Sequence, residues 1–463
     1  MADLDRDGRQ DIVLANNHSA RTYDVPSYIY WGNPRGYGPQ RRSELQTFGA
    51  VAVAAADVNG DGKPDLAFAN NTSGFVPGPD RREDSLVYWG GADRGYSTAS
   101  VARYPTNAAM GSAMADLDDD GNPELLFANM ADDSFLYRGT PSGPSPQKLQ
   151  KLLFPGSEPH NSFEVADLNR DGYLDVLLCT RVHADSGGRV VILWGSRSGL
   201  SERRSTAIDY DLKGVANIRL ADLNGDGWLD LFLAASYDTR SAVLWGGPEG
   251  FSLRRSAMVK EPYVGNVEFA DLDGDGYLDV ILCKVFDPRE NNHRAGSRIR
   301  IYYGGPAGFL SGTPTELPAT GALDIVVADL DHDGALDIGV AQYSGGPRSD
   351  LPFLIFWNDG RGRFSPENRN QALPGNGASG ALAADFDYDG FLDLLVLNHN
   401  ERGNHNLNSY LYWGSARGFS QREATALPGA GPHWAQNVDI GNLLTRRQEE
   451  SYTSTPIPVR AGP

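Results

Sequence analysis

The sequence predicts an all-β fold, an eight-bladed β-propeller with four antiparallel strands in each blade, and a seven-bladed propeller is the fallback. Three observations predict it. One nine-residue acidic motif recurs eight times, a continuous apolar run follows each copy, and a third run ends in an aromatic–glycine signature. Successive motifs begin 49 to 59 residues apart, which is typical of propeller blades.

Composition and charge narrow the possible partners. The 463 residues include 54 glycines and 28 prolines, which favours many turns over long helices. A formal charge of −19 argues against a nucleic-acid partner. The sequence contains no 18-residue apolar run, so we do not expect direct membrane insertion. Such a negative charge also indicates that cations belong to the folded state. We expect a monomeric propeller.

Each repeat predicts its four strands in order. A run of small residues precedes the motif, as in VAVAAAD at 51–57, and an apolar run such as DLAFAN at 65–70 follows it. Both patterns predict buried strands. The third strand ends in sequences such as LVYWG at 86–90, and a Gly-aromatic pair such as Gly418-Phe419 is predicted to open the fourth strand.

The tryptophans and cysteines recur at fixed places in the repeat. Six tryptophans fall at the third-strand signature, namely Trp31, Trp89, Trp194, Trp245, Trp357 and Trp413. Such a row could stack on sugars, but recurrence at one position favours packing between neighbouring blades. Cys179 and Cys283 occupy equivalent strand positions one repeat apart. We therefore expect both to be buried and unpaired.

The chain is expected to form one propeller over residues 1–445, followed by a polar tail over 446–463. No strand precedes the first motif, so the chain is expected to begin inside a repeat. The segment 433–442 is spaced as a ninth unit, and we expect it to supply the innermost strand of blade 1 and close the ring. The predicted blades span 1–49 with 433–442, 50–109, 110–160, 161–214, 215–264, 265–321, 322–377 and 378–432.

The acidic motif has the residue types that Ca²⁺ requires. Calcium takes six to eight oxygen ligands from carboxylates, amides and backbone carbonyls on tightly turned loops. Positions 1, 3 and 5 are always Asp or Asn, position 6 is always Gly, and position 9 is Asp seven times and Glu once. Position 7 varies widely, as expected where only the backbone carbonyl binds the ion. Position 4 also varies, as a solvent-facing residue would.

The predicted calcium ligands come from five positions in each of eight loops. Position 1 is Asp3, Asp57, Asp116, Asp167, Asp222, Asp271, Asp329 and Asp385. Position 3 is Asp5, Asn59, Asp118, Asn169, Asn224, Asp273, Asp331 and Asp387. Position 5 is Asp7, Asp61, Asp120, Asp171, Asp226, Asp275, Asp333 and Asp389. Position 7 is Arg9, Lys63, Asn122, Tyr173, Trp228, Tyr277, Ala335 and Phe391. Position 9 is Asp11, Asp65, Glu124, Asp175, Asp230, Asp279, Asp337 and Asp393.

Two alternatives explain acidic, glycine-containing turns in another way. Asp-Gly segments can simply be turn formers, but eight copies with only the ligand positions fixed are not expected from turn chemistry alone. An EF-hand needs Glu at position 12 and flanking helices, whereas strands flank these loops. Eight Ca²⁺ ions carry +16 and would take the charge from −19 to −3. We therefore expect Ca²⁺ as the cofactor, with up to eight ions, one per blade.

These loops resemble the FG-GAP, or VCBS-type, repeats of integrin-α-like propellers. The D-x-[DN]-x-D-G-x-x-D pattern matches the eight loops, with Glu124 in place of the last Asp in loop 3, and the resemblance covers roughly residues 1–445. It implies a propeller with metal loops on one face and ligand binding on the opposite face. The functional classes that it implies are adhesion receptors, lectin-like sugar binders and non-catalytic modules of secreted proteins.

The loops after strands two and four are predicted to lie away from the calcium loops, and they vary in length and composition. Function concentrates in loops held by a rigid scaffold, so these loops form the candidate ligand face. Its candidate residues are His18, His160, His183, Tyr237, Asp238, His293, His399, His405, His433 and Trp434. Histidines also suit ordinary exposed loops, and both interpretations stay open.

We expect a calcium-stabilised, non-catalytic adhesion or binding module for glycan or protein ligands on this face. One alternative is a polysaccharide lyase or hydrolase that uses the channel mouth, although no local motif supplies an acid–base pair. The other is a structural spacer in a larger surface protein. Calcium loops favour an extracellular or cell-surface location, with an export signal expected upstream of this segment.

Overall fold

The protein, described by a computed structural model, consists of eight antiparallel sheets that follow one another along the chain. The structure describes residues 1–19, 21–71, 83–92, 94–129, 133–152, 159–180, 187–284, 298–343, 349–364, 370–401 and 403–432. Seven sheets have four strands and the first has three described strands, and consecutive strands are neighbours in every sheet. The all-β, eight-bladed propeller fold is confirmed.

The strands of the first four blades are as follows. Blade 1 contains β1 (Ile12–Leu14), β2 (Ser27–Tyr30) and β3 (Arg42–Leu45). Blade 2 contains β4 (Ala50–Ala56), β5 (Asp65–Asn70), β6 (Asp84–Tyr88) and β7 (Val101–Pro105). Blade 3 contains β8 (Ala109–Ala115), β9 (Glu124–Asn129), β10 (Ser134–Tyr137) and β11 (Leu149–Leu152). Blade 4 contains β12 (Pro159–Ala166), β13 (Asp175–Thr180), β14 (Gly188–Leu193) and β15 (Ser205–Tyr210).

The last four blades repeat this order. Blade 5 contains β16 (Val215–Ala221), β17 (Asp230–Ala235), β18 (Ser241–Leu244) and β19 (Ser256–Val259). Blade 6 contains β20 (Val264–Ala270), β21 (Asp279–Lys284), β22 (Arg298–Tyr302) and β23 (Thr315–Pro318). Blade 7 contains β24 (Ala322–Ala328), β25 (Asp337–Gln342), β26 (Phe353–Phe356) and β27 (Asn370–Leu373). Blade 8 contains β28 (Ala378–Ala384), β29 (Asp393–Asn398), β30 (Asn408–Tyr412) and β31 (Ala424–Pro428).

Short 3₁₀ turns precede the last strand of five blades. They span Pro39–Arg41, Thr98–Ser100, Glu202–Arg204, Phe309–Ser311 and Gln421–Glu423. The Gly-aromatic pair therefore lies in the turn before this strand, whereas the sequence predicted it at the strand's start. In blade 8, Gly418 has a φ of 75° and Phe419 is buried, and β31 begins only at Ala424. Because that φ is incompatible with a strand, the pair ends the turn instead.

The acidic motif joins the first two strands of each blade. The alanine before position 1 pairs with position 9, as in Ala56↔Asp65 and Ala221↔Asp230. In blade 1 the equivalent pair, Ala2↔Asp11, forms an isolated bridge. Each loop is therefore closed at its base by the strand ladder, which holds positions 1 and 9 at fixed places.

The described chain folds as two compact units. The first comprises Met1–Asn33 and Pro39–Lys213, with blades 1 to 4, and the second comprises Pro34–Gly38 and the described residues from Gly214 onward, with blades 5 to 8. Within each unit, every pair of consecutive blades shares one apolar cluster. The core of each unit is thus built from the contacts between consecutive blades.

Other predictions about the chain have mixed outcomes. Cys179 and Cys283 are buried and free, as predicted. The proposed closing strand at 433–442 and the polar tail at 446–463 lie outside the described residues. Within the described ranges, no helix has the length and apolar character needed to span a membrane.

Candidate metal centres

A glycine with a left-handed backbone turns every acidic loop. The eight glycines at position 6 have φ between 85° and 92°. At Gly8, Gly121 and Gly172, an added β-carbon would have no atom within 4 Å. Glycine is therefore required there by the backbone angle and not by crowding. The sharp turn predicted from the motif is present in all eight loops.

Position 4 is also left-handed in every loop, which the sequence did not predict. The three glycines there, Gly60, Gly225 and Gly274, have φ of 71° to 75°, and the other five residues have φ of 58° to 64°. Those five are Arg6, Asp119, Arg170, His332 and Tyr388. The side chain at position 4 can vary because it points outward, but its backbone is restricted. The sequence indicated this backbone restriction only through the glycines that occupy position 4 in three of the eight loops.

The side chains at positions 1, 3 and 5 fold back into the loop. In loop 2, Asp57 accepts hydrogen bonds from the backbone N–H groups of Asp61 and Gly62 at 3.2 and 2.8 Å. Asn59 accepts from Asp61 N–H at 2.9 Å, and Asp61 accepts from Lys63 N–H at 2.9 Å. The bonds made by positions 1 and 5 recur in all eight loops. The backbone therefore aims several oxygen atoms at the interior of each loop.

These oxygen atoms come close enough together to hold one ion. Carboxylate oxygens from positions 1, 3 and 9 of loops 1 and 3, and from positions 1, 3 and 5 of loops 6 and 7, lie within 4.8 Å of one another. Two ligands on opposite sides of Ca²⁺ would be about 4.6–5.2 Å apart. In loop 3, Asp118 Oδ1 is buried and has no hydrogen-bond partner among the described residues. The donor set and its spacing fit Ca²⁺.

The carboxylate at position 9 has a second task that the sequence did not reveal. In loop 5, Asp230 accepts a hydrogen bond from Leu223 N–H at 2.9 Å and another from Gly246 N–H at 2.8 Å. In every loop, the position-9 carboxylate accepts the same two hydrogen bonds. One comes from the N–H of position 2, and the other from the N–H of the residue that follows the third-strand aromatic, or Arg138 in blade 3. Each oxygen keeps a second lone pair. Position 9 can therefore bind an ion while it ties the loop to the third strand.

Burial strongly perturbs the carboxyl groups at position 9. Desolvation raises the pKa of Asp230 to about 6 and that of the other seven groups to about 7. The two backbone hydrogen bonds act in the opposite direction, and the nearby loop aspartates add a further rise. Such groups are costly to ionise unless a cation is near. A cation in the loop would therefore stabilise the ionised form of these carboxyl groups.

The third-strand aromatics pack between consecutive blades, as predicted. A β-carbon on Gly143 of blade 3 would lie 2.6 Å from the Trp89 ring of blade 2. In the second unit, Gly362 of blade 7 approaches Tyr303 of blade 6 in the same way. The turn of one blade also covers position 3 of the preceding loop, since Gly362 lies equally close to Asp273. Four of the six tryptophans, Trp31, Trp89, Trp245 and Trp357, pack in the apolar clusters that consecutive blades share.

Three described residues of the candidate ligand face are buried in their blades. His399 is 3% exposed and its Nδ1 lies 3.0 Å from Gly431 O. His405 is 9% exposed and its Nδ1 lies 2.8 Å from His399 O. Asp238 is 8% exposed and accepts a hydrogen bond from Arg240 N–H. These three side chains hydrogen-bond to the backbone of their own blades. They are buried, whereas we expected exposed loop residues.

The remaining candidate residues are less constrained. Tyr237 is 39% exposed, and His18 stacks on Tyr23 with ring centroids 5.1 Å apart. His160 lies in β12, although its side chain is not described. The other four, His183, His293, His433 and Trp434, lie outside the described residues. Tyr237 is therefore the one residue of this set that the structure places as an exposed large side chain.

The family of the chain follows from its repeats. A family model described as FG-GAP-like repeat matches residues 3–68, 116–178, 222–282 and 343–396, which together make up more than half of the chain. The chain therefore belongs to the FG-GAP-like repeat family. A curated relative, integrin alpha-IIb of Mus musculus, is 29% identical over 164 residues. That match covers 29% of this chain and 15% of the relative, so the chain spans a small part of the integrin's length.

Solved structures of low sequence identity resemble the chain only weakly. The crystal structure of BBS1N in complex with ARL6DN, soaked with lead, has a TM-score of 0.42 at 12% identity and covers 84% of this chain and 94% of that chain. The V. cholerae biofilm matrix protein Bap1 has a TM-score of 0.38 at 15% identity and covers 94% of this chain and 83% of that chain. Likenesses this weak indicate nothing about the ligand.

Proposed function

We propose that the eight loops bind Ca²⁺ and that the ions stabilise the blades. The observation that carries this proposal is the convergence of carboxylate oxygens within 4.8 Å in loops whose position-9 carboxyl is buried. The residues at positions 1, 3, 5 and 9 would hold the ion through side-chain oxygens, and position 7 would add its carbonyl. When bound, the ion supplies the positive charge that the crowded carboxylates need.

Calcium in these loops would act at the junction of three strands. Position 1 follows the first strand, position 9 begins the second, and the N–H that position 9 binds follows the third strand's aromatic, as with Asp65 and Gly90. An ion that holds positions 1 and 9 together therefore fixes the geometry at one end of the blade. Since the ion would bind the folded loop and not the unfolded chain, it stabilises the fold by mass action.

We further propose that the chain is a non-catalytic, extracellular binding or adhesion module for glycan or protein ligands. Its membership of the FG-GAP-like repeat family and its similarity to part of an integrin α-chain support a binding function. The ligand would contact the loops after strands two and four, at the opposite end of each blade from the acidic loops. Calcium loops of extracellular modules bind at about 10⁻⁴–10⁻³ M, which suits the calcium level outside cells.

Thermal unfolding with and without calcium tests the stabilising function. The melting temperature should rise with millimolar CaCl₂ and fall with EGTA, while MgCl₂ at the same ionic strength serves as the control. At a concentration of 100 times the Kd, one site adds about 2.7 kcal/mol to stability. Calorimetric titration should give up to eight ions per chain. An unchanged melting temperature in EGTA would contradict the proposal.

Binding arrays test the ligand function separately. The calcium-loaded chain is applied to immobilised glycans and to extracellular matrix proteins, and hits are repeated with Tyr237→Ala. The matched control is Tyr388→Ala, because Tyr388 is also an exposed tyrosine, at 50%, but belongs to an acidic loop. Binding that survives both substitutions would show that neither tyrosine contacts the ligand, and the absence of any ligand would count against a binding module.

A further inference from the structure

One turn of the repeat breaks the pattern of the other seven. The turn in question follows the third-strand aromatic, a place that Arg138 takes in blade 3. Counting five residues from that place gives a glycine in seven blades and Arg94 in blade 2. The glycines are Gly36, Gly143, Gly199, Gly250, Gly308, Gly362 and Gly418. All eight residues are left-handed, with φ from 65° at Arg94 to 97° at Gly143. A non-glycine residue is strained in this conformation, as the five non-glycine residues at position 4 of the acidic loops also are.

The Arg94 side chain reaches into the acidic loop of the preceding blade. Its Nε donates a hydrogen bond to Asp5 Oδ2 at 2.6 Å, and its Nη2 lies 3.8 Å from Asp7 Oδ2. The guanidinium also lies over the Trp31 ring, 4.9 Å from the ring centroid. Asp5 and Asp7 are positions 3 and 5 of loop 1, and the Asp5 side chain is only 10% exposed. A fixed positive charge therefore lies at the ligand oxygens of loop 1.

Loops 6 and 8 are suitable references for this arrangement. Their position-3 and position-5 carboxylates, Asp273, Asp275, Asp387 and Asp389, form no salt bridge with any described residue. The turn that covers loop 6 has Gly362 where blade 2 has Arg94, and a β-carbon there would lie 2.9 Å from Asp273 Cβ. The turn that covers loop 1 therefore places a guanidinium where the turn over loop 6 has glycine. The loops themselves also differ, since loop 1 has Arg6 and Arg9 where loop 6 has Gly274 and Tyr277.

We propose that Arg94 is a built-in cation for loop 1, which competes with Ca²⁺ and lowers the calcium affinity of that loop below the affinity of loops 6 and 8. The inference rests on the proposed calcium function. A guanidinium beside the ligand oxygens repels a divalent ion and occupies an oxygen that could turn toward it. At about 5 Å in a water-like dielectric, this repulsion amounts to roughly a tenfold loss of affinity. Loop 1 would then empty before loops 6 and 8 as calcium falls.

Site-resolved calcium titration in crystals tests the proposal. Crystals of the full chain are equilibrated at graded CaCl₂ concentrations, and the anomalous signal at loops 1, 6 and 8 is measured in each crystal. In the wild type, loop 1 should reach half-occupancy at about tenfold higher calcium than the two reference loops. Arg94→Gly puts glycine at this place, as in the other seven turns, and relieves the strained φ, so the calcium concentration that half-fills loop 1 should fall about tenfold relative to the wild type.

Two controls separate charge from general effects. Arg94→Lys keeps the positive charge and should leave loop 1 weaker than the reference loops. Arg254→Gln removes an exposed charge in a turn of blade 5 and should change none of the three loops. If loop 1 fills with the reference loops in the wild type, or if Arg94→Gly leaves it unchanged or weaker, the inference is overturned while the calcium function stands. If no loop gives a signal at any concentration, the calcium function itself fails.

Discussion

Gly143 of blade 3 lies against the indole of Trp89 of blade 2, so closely that an added β-carbon would be 2.6 Å from the ring. The same glycine has a φ of 97°, which side chains rarely tolerate. Two independent requirements therefore select glycine at this contact. Because consecutive blades meet at such turns, a side chain there should weaken the contact between two blades without disturbing either sheet.

Gly143→Ala should destabilise the first unit by about 1–3 kcal/mol, through overpacking against Trp89 and backbone strain. Chemical denaturation followed by tryptophan fluorescence measures the loss. Gly312→Ala is the control, since Gly312 has a φ of −103° and an added β-carbon there has no atom within 4 Å. A loss of similar size in the control would show that the close contact is not the cause.

Two substitutions at position 4 of the acidic loops should change the stability of the chain in opposite directions. Tyr388→Gly should stabilise the chain by about 1 kcal/mol, because it removes an L side chain from a left-handed backbone. Gly225→Ala should destabilise it by a similar amount, for the same reason. Both residues lie at position 4, with φ of 64° and 71°. Calcium-saturated melting curves measure both effects, and two shifts of the same sign would contradict the explanation.

Loop 6 can separate the two tasks of its carboxylates. In EGTA, Asp279→Ala should cost about 2–4 kcal/mol, because the buried N–H of Leu272 and the partly buried N–H of Gly304 lose their acceptor. In EGTA, Asp273→Asn should be neutral or slightly stabilising, since burial and the nearby aspartates raise the pKa of Asp273. With calcium present, Asp273→Asn should lose part of the calcium-dependent gain. Equal losses for the two variants in EGTA would contradict this division.

The calcium-free chain should have an unusual pH dependence. Burial raises the pKa of Asp279 to about 7, whereas an unfolded Asp has a pKa of about 3.9. The folded state therefore binds more protons in this window, and its stability should fall as pH rises from about 4 through about 7. Calcium lowers the pKa of its ligands and should flatten the curve. Melting temperatures from pH 5.5 to 8, in EGTA or in calcium, measure the difference, and a rise with pH in EGTA would contradict it.

Most of the fold was predictable because the pattern repeats eight times. Position 6 was assigned correctly, since only glycine appears there and all eight copies have φ near 90°. The packing of the tryptophans was predictable for the same reason, as with Trp89 and Gly143. A single copy of the motif would have left both assignments open. The calcium ligands themselves remain predictions until an ion is observed.

Other features could not be predicted, because the residues that carry them differ between repeats or depend on neighbouring loops. Position 4 accepts Arg, Asp, Gly, His or Tyr, so its side chains conceal a backbone restriction common to all copies. His399 and His405 fall in a polar loop segment, yet loops that pack on each other bury them. Arg94 was detectable by counting five residues from each third-strand aromatic. Its ion pair with Asp5 depends on the neighbouring blade, which no local sequence window contains.

The two buried thiols provide one probe of opening motions in each half of the chain. Cys179 lies in blade 4, within hydrogen-bond distance of Tyr210, and burial raises its pKa to about 12. Cys283 lies in blade 6, and burial raises its pKa as well. Neither thiolate can react with an alkylating reagent until its sheet opens. Labelling rates read separately by mass spectrometry would therefore time the unfolding of the two halves without any introduced reporter.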